Sequence, residues 1–584
     1  MKRVGAAAAV VLSVLLAALM PSVASAKQAV NSQQTDLQLL AINDFHGNLE
    51  PPTGSSGRVP DPNTGANVDA GGSEYLATWM DRLAKRNPNT LTVGAGDLIG
   101  GSPFLSGLFH DEPAIDAMND LDMDISGVGN HEFDEGKEEL LRMQNGGCHP
   151  VDGCQDGDPF TGAFFEYLSS NVFLANTNKT LLPPYEIKRV GKQRIKVAFL
   201  GLTLEGTPLI VTPSGVAGLE FRDEIVTINN LVRQLRRDKG VRSFVVLIHE
   251  GGFQNPPFSD KTAAGTPYMN INKCDNFTGA IKPIVEALDS AVDAVVSAHT
   301  HQPYICRFNG ILTTSASSFG RLITSINLKI DNGSKNVVSS SAVNNIVTRT
   351  VDKDPEQTEL IAHYRQFSAP IAERVVGKVT TDITRAANTA GESALGDVIA
   401  DAQLAATSPT DFGGAVVAFM NPGGIRGDLT FANTYGKQNP EAPGEITYGE
   451  LFDVQPFNNV MTVKTMTGDM IYRLLAQQFN LPNPGDLRIL QVSTGFTYRY
   501  TYNPTTRVGS IIDGSVMING VPVDRNTSYR VAMNNFLADG GDGFTVFREG
   551  TNPLGGDIDL DALVRYFQQN PAIAPGPQNR IIRE

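Results

Sequence analysis

LQLLAINDFHG, residues 37–47, is an apolar, strand-like run that stops abruptly on Asn43, Asp44 and His46. The same succession recurs four times. Leu91–Val93 leads through Gly94-Ala95-Gly96 to Asp97, and Ile125–Gly129 leads to Asn130-His131. Ser243–Ile248 leads to His249, and Ala294–Ala298 to His299-Thr300-His301. Neither strand nor turn formation asks for Asp, Asn and His at those positions. In an open α/β sheet, ligands collect beyond the carboxyl ends of the strands, so five strand ends carrying O or N donors predict one shared polar site.

That site reads as a metal centre. Asp44 and His46, two apart on an extended run, leave the same face and can grip one ion, and His299 with His301 repeats the logic. Asp97, set after two glycines, is the natural bridging carboxylate, while Asn130 offers an amide oxygen and His249 an imidazole. Seven ligands with Asp97 shared suit two divalent ions, an arrangement that at roughly 3.5–4 Å separation catalyses in-line displacement at phosphorus. Carboxylate, amide and imidazole donors together admit Zn, Mn, Fe or Co. His131 points away from its neighbour Asn130, and Asp134, three residues on, is placed to orient it. A His held by a carboxylate beside metals is suited to donate a hydrogen bond or proton to developing charge.

The chain has 584 residues, with 47 Lys and Arg against 62 Asp and Glu and a formal net charge of −15. It lacks the basic stripe that a polymeric nucleic acid partner requires. Lys2 and Arg3, the apolar stretch Ala6–Met20, Pro21 and Ala24-Ser25-Ala26 predict a signal peptide over residues 1–26, hence a secreted protein. No later stretch reaches the roughly 20 apolar residues of a membrane span. Four cysteines in an exported chain predict two disulfides. Of three connectivities, Cys148–Cys154 and Cys274–Cys306 are favoured, the first enclosing a short loop and the second bracketing the fifth donor cluster.

Residues 27–35 are polar and unpatterned and read as a disordered leader. From 36 to 350 strand-like and helix-like segments alternate, which predicts α/β layers. Residues 146–160 and 253–278 read as loop insertions. Residues 351–374 read as a helical linker, and 375–584 as a second unit mixing helices and strands. In it, Asn421–Arg426 is a glycine-rich turn that allows a ligand close approach at Gly423 and Gly424, with Arg426 available to an oxyanion. Phe457 and Phe536 lie in separate polar loops and could sandwich a planar base.

The series Asn43-Asp44-Phe45-His46-Gly47, Gly96-Asp97, Gly129-Asn130-His131-Glu132-Phe133-Asp134, His249-Glu250-Gly251 and Ala298-His299-Thr300-His301 resembles, in order, that of the calcineurin-like metallophosphoesterases. Its NDFHG and GNHEFD forms are similar to the 5′-nucleotidase and UDP-sugar hydrolase family, which includes 2′,3′-cyclic-nucleotide phosphodiesterases. The resemblance implies a four-layer α/β/β/α sandwich, a helical linker and an α+β nucleotide-binding C-terminal domain. It implies one ion on Asp44, His46, Asp97 and His301, a second on Asp97, Asn130, His249 and His299, and His131 with Asp134 as catalytic dyad. It further implies that Phe457 and Phe536 stack the base, Asp542 accepts the ribose hydroxyls, Arg426 contacts phosphate or ribose, and Asn421 and Asn459 contact the base. One departure stands out: many relatives carry a substrate Arg where Asn388-Thr389-Ala390-Gly391 has none, leaving Arg385 upstream as the substitute.

The function expected is a secreted, dinuclear metal-dependent phosphohydrolase releasing phosphate from nucleotides, a 5′-nucleotidase with UDP-sugar hydrolysis as a further reaction. A 2′,3′-cyclic-nucleotide 2′-phosphodiesterase with 3′-nucleotidase activity shares the same ligands. A non-catalytic nucleotide-binding surface protein on this scaffold would have lost ligands, and all seven positions are filled.

Overall fold

Alternate residues of one strand belong to two different cores. Leu37, Leu39 and Ala41 pack inward against Phe199, Val245, Leu247 and Val296, whereas Leu40 and Ile42 pack outward against helices. A strand covered on both faces must be apolar at nearly every position, which is why these runs show no polar alternation. The computed structural model of the protein describes residues 33–52, 54–211, 215–432, 442–457, 459–481 and 487–584. The expected signal peptide lies outside the described residues.

Two six-stranded sheets form the first domain. One runs Val337–Ile346, Leu322–Asp331, Gln34–Ile42, Thr90–Ala95, Met123–Gly127, Glu166–Leu168, and the other Pro303–Phe308, Ile311–Ala316, Ala294–Ser297, Ser243–His249, Ile195–Thr203, Tyr185–Val190. Helices Ser73–Ala84 and Glu112–Asp120 cover the outer face of the first sheet, and Glu224–Asp238 with Ile281–Glu286 that of the second. The layering is therefore α/β/β/α. Within each sheet the central strands are parallel, so the five donor-bearing ends emerge at one edge of the sandwich.

The leader ends earlier than its composition suggests. Gln34 and Thr35 already pair with Asp331 and Ile330, and the Thr35 hydroxyl donates to Asn332 Oδ1 at 2.8 Å, so this polar stretch opens an interior strand of the sheet. The two disulfides join Cys148 to Cys154 and Cys274 to Cys306.

Helix Pro355–Ala372, capped by Asp354 accepting from Glu356 and Gln357, separates the two domains and packs Ile361 and Tyr364 into the first. The second domain holds a five-stranded sheet, with strands Gln491–Val492, Val417–Met420, Ser528–Asn534, Val460–Thr467 and Thr551–Ile558, and helices Ala394–Thr407 and Asp559–Gln569. The domains share a seam. Phe104 of the first packs edge-on to Phe452 and Tyr448 of the second, and its N–H donates to Asp453 Oδ1 at 2.7 Å. Among the described residues, no helix is long and apolar enough to cross a membrane.

Candidate active site

Five of the seven predicted ligands hold a left-handed backbone. Asp44, His46, Asp97, His299 and His301 have φ of 50°, 48°, 51°, 69° and 56°. Each such non-glycine position costs on the order of 1–3 kcal/mol and persists only where its surroundings over-determine it. Here the turns are stitched to one another. Asp44, His46 and Gly47 donate their N–H groups to the carbonyls of Gly96, Asp97 and Leu98 at 3.0–3.1 Å. The His299 N–H donates to Asp44 Oδ1 at 3.0 Å, and the His131 N–H to Asp97 Oδ1 at 2.9 Å. Gly96 and Gly129 permit the close approach of two turns. A Cβ on Gly96 would stand 2.4 Å from Gly129 N, and one on Gly129 would stand 2.2 Å from Asp97 Oδ1.

Glu132 adds a tie that spacing alone does not disclose. Its buried carboxylate accepts the N–H groups of Asp97 (3.0 Å), Leu98 (2.8 Å) and Gly129 (2.6 Å), binding the Asp97 turn to the Asn130 turn. Burial, reinforced by the Asp97 charge, pushes this carboxyl up to about 7. The signal lies in the GNHEFD run, where a Glu directly after a strand end and two donors has no surface to face.

The donors converge. Asp44, His46 and His301 offer atoms within 4.8 Å of one another, as do Asp97, His249 and His299, and the set His46, Asp97 and His131 joins the two groups. His46 directs Nδ1 at the Gly100 carbonyl (2.7 Å) and His249 directs Nδ1 at the Ala95 carbonyl (2.9 Å), so each presents Nε2 to the centre. That backbone hold is how metal-ligating imidazoles are oriented. His249 Nε2 lies 2.9 Å from Asp97 Oδ2, and His46 Nε2 lies 3.1 Å from His301 Nε2. Asn130 Oδ1 is buried without a hydrogen-bond partner, a costly state for a bare amide oxygen. Burial holds the His46, His299 and His301 imidazoles below their ordinary range, His299 at about 3, which leaves them in the neutral form that ligates metal. At Asp97, burial is outweighed by the surrounding histidines, and its carboxyl lies well below the usual range. An orphaned amide oxygen, three imidazoles held neutral and the ionised Asp97 fit divalent cations; at His249 burial is outweighed by the Asp97 and Asp44 carboxylates, which raise it to about 10, so it would give up a proton on ligating a metal.

His131 Nδ1 lies 2.7 Å from Asp134 Oδ2. Burial opposes its charge, but Asp134 and Asp97 outweigh burial and raise its pKa. Across the domain seam, Phe457 lies nearly parallel to the His131 ring, with centroids 5.7 Å apart and an 18° interplanar angle. The Arg426 guanidinium stands 5.7 Å from the centre of the Phe457 ring, and its Nη2 is buried without a partner. Burial and the Arg385 charge lower the Arg426 pKa. Arg385 itself donates to the carbonyls of Ile425 and Arg426, at 3.2 and 2.7 Å, and to Ser56 Oγ at 2.7 Å, so it props the Arg426 turn.

The remaining predicted residues divide. Asn421 Nδ2 donates to Asp542 Oδ2 at 3.1 Å, and Arg488 pairs with the other Asp542 oxygen. Asp542 has φ 57°, on a glycine-rich turn where Phe536 lies against Gly541. Gly424 is buried next to Asn421. Asn459 is turned away, its amide donating to Asp559 Oδ2 at 3.2 Å.

Acidic and imidazole donors gathered beyond the carboxyl ends of two stacked sheets define a candidate site for divalent cations. The sequence matches the calcineurin-like phosphoesterases over residues 37–303 and the 5′-nucleotidase C-terminal domain over residues 375–549. The chain belongs to the calcineurin-like phosphoesterases that carry this C-terminal domain, a family of hydrolases that use divalent metals. It is 31% identical over 547 residues to Endonuclease YhcR of Bacillus subtilis, covering 93% of this chain and 40% of that protein, so it spans well under half of that relative's length. It is 29% identical over 567 residues to Cell wall protein Lmo0130 of Listeria monocytogenes, covering 92% of this chain and 67% of that protein. In fold it is similar to the 5′-nucleotidase precursor of Thermus thermophilus. The TM-score is 0.71 at 24% identity, over 94% of this chain and 99% of the other.

Proposed function

We propose that the chain is an exported, dinuclear metal-dependent phosphohydrolase that releases phosphate from nucleotides, with 5′-nucleotidase activity as its principal reaction. The observation that carries this reading is the position of Phe457 and Arg426, brought from the second domain directly over His131 and the donor cluster. When bound, the two cations would supply Lewis acidity to the phosphoryl oxygens and lower the pKa of an attacking water. Asp44, His46, Asp97 and His301 would hold one, and Asp97, Asn130, His249 and His299 the other.

The chain's own groups do the rest. Asp134 fixes His131 through Nδ1, which leaves Nε2 to donate to the leaving ribose oxygen or a phosphoryl oxygen as charge builds. Arg426 offers its unpartnered Nη2 to a phosphate oxygen, in a buried setting where a charge-assisted bond is strong. Phe457 and Phe536 stack the base, and Asp542 accepts ribose hydroxyls once Arg488 and Asn421 yield their bonds. Asn421 contacts the base, and Asn459 does so only after leaving Asp559. The Phe457 ring lies against His131. Binding and release therefore require the second domain to move on the helix Pro355–Ala372. Export rests on the N-terminal segment and on two disulfides.

Phosphate release from 5′-AMP, 3′-AMP, 2′,3′-cyclic AMP and UDP-glucose tests the reading. Preference for 5′-AMP is expected. Preference for the cyclic or 3′ substrate would replace it with the phosphodiesterase reading, and no release from any of the four would reject it.

A further inference from the structure

Helix Glu112–Asp120 begins on an aspartate whose side chain does not cap it. Asp111 holds a left-handed backbone, φ 64° and ψ 14°, in place of the extended one usual at that position, and its carboxylate accepts nothing from the helix's first turn. Pro113 has no N–H to offer, and the Ala114 N–H is taken by the Asp111 carbonyl at 3.0 Å. The buried carboxylate turns back along the chain instead. Oδ2 accepts the Gly100 N–H at 2.8 Å, and Oδ1 accepts the Ser106 hydroxyl at 2.6 Å.

Several parts of the site meet at Gly100. Its carbonyl takes His46 Nδ1 at 2.7 Å, the contact that leaves Nε2 to the centre. A Cβ on Gly100 would stand 2.7 Å from His131 Cβ and 2.9 Å from Asp134 Oδ2, the oxygen that holds the His131 ring. The next residue faces the second domain: a Cβ on Gly101 would stand 3.1 Å from Phe457 Cζ and 3.4 Å from Arg426 Nε.

We infer that Asp111 is a positioning residue for the metal-dependent reaction proposed above: by fixing Gly100 it sets the tautomer and direction of His46 and the wall behind the His131–Asp134 pair.

Backbone, anchor and contact support this together. Gly100 and Gly101, with φ 79° and 55°, have wide conformational freedom of their own, so a turn that must present one carbonyl to His46 needs a hold from outside. The hold is rigid, because the helix that Asp111 opens buries Ala114, Ile115, Ala117 and Met118 in the core of the first domain. A left-handed backbone is costly for an aspartate and free for a glycine, and it persists where the side chain makes bonds that a glycine cannot. The group that orients a ligating imidazole governs how tightly the metal is held, and here that group is the Gly100 carbonyl, steadied in turn by Asp111.

The test is Zn²⁺ affinity of the purified full chain, measured by chelator competition. Glycine and asparagine both tolerate a left-handed backbone, so either substitution isolates the side chain. Asp111→Gly should weaken the ion expected on Asp44, His46, Asp97 and His301 by about 10–100-fold. Asp111→Asn, whose amide oxygen can accept the Gly100 N–H, should restore the affinity of the unmodified chain. Undiminished affinity in folded Asp111→Gly, or an Asp111→Asn as weak as Asp111→Gly, would overturn the inference and leave the proposed function standing. The inference rests on that function, and absence of Zn²⁺ binding by the unmodified chain would overturn both. Should Asp111→Gly fail to fold, residue-resolved amide hydrogen exchange of the unmodified, chelated chain decides instead. The Gly100 N–H should exchange slowly, because Asp111 and not an ion holds it, and rapid exchange would overturn the inference.

Discussion

Replacing Glu132 by Gln removes an acceptor oxygen from a side chain outside the predicted ligand and substrate residues, yet it should loosen the metal centre. The carboxylate accepts three buried backbone N–H groups, with Oε2 taking those of Asp97 and Gly129 and Oε1 that of Leu98. A glutamine keeps one acceptor oxygen. Turned toward Asp97 and Gly129, it sets its own NH₂ against the Leu98 N–H and leaves that donor unsatisfied, at about 1–3 kcal/mol. At about 2–4 °C per kcal/mol in a large domain, melting should fall by about 2–12 °C. The Asp97 turn would also lose part of its tie to the Asn130 turn. Removing a group that orients ligands lowers metal affinity by about 10–100-fold, and chelator competition measures this directly. Wild-type metal affinity together with wild-type melting in Glu132→Gln would refute the claim that this carboxylate holds the two turns in register.

His131→Gln should lower kcat by about 10²–10⁴-fold with little change in KM, read from steady-state phosphate release, because the lost group acts on developing charge and not on ground-state binding. Phe457→Ala should raise KM for 5′-AMP by about 5–150-fold, corresponding to about 1–3 kcal/mol of base stacking; an unchanged KM removes Phe457 from the base site. Asp293 accepts the Phe244 N–H at 2.8 Å, and burial pushes its carboxyl up to about 7. Its folded form therefore holds a proton that the unfolded chain has lost between about pH 4 and 7, and stability falls as pH rises through that window. Asp293→Asn should flatten that part of a melting-against-pH curve, and an unaltered slope would contradict the assignment.

The first domain was legible because both faces of its sheets are covered. A mostly apolar run such as Leu37–Ile42, too short for a typical helix, suits a strand buried on both faces, and donors at the carboxyl ends of such strands gather at one site. What spacing could not show was the stitching. The left-handed turns at Asp44, His46 and Asp97 depend on bonds between segments about fifty residues apart, and Glu132 binds two turns through backbone groups that have no identity in a sequence. In the second domain, Phe457 and Arg426 reach the first domain's cluster, whereas Asn459 is held by Asp559, a hundred residues downstream, which no local pattern announces. Arg385 likewise supports the Arg426 turn through carbonyl contacts that only the folded chain brings within reach.

The most direct test of the central claim is phosphate release from 5′-AMP by one sample of the purified chain, assayed untreated, after exhaustive chelation and after addition of Zn²⁺, Mn²⁺, Fe²⁺ or Co²⁺. The account predicts that chelation abolishes release, that at least one of these ions restores it, and that Asp97→Asn is restored by none. Undiminished release after verified removal of metal, or full activity of Asp97→Asn, would contradict it.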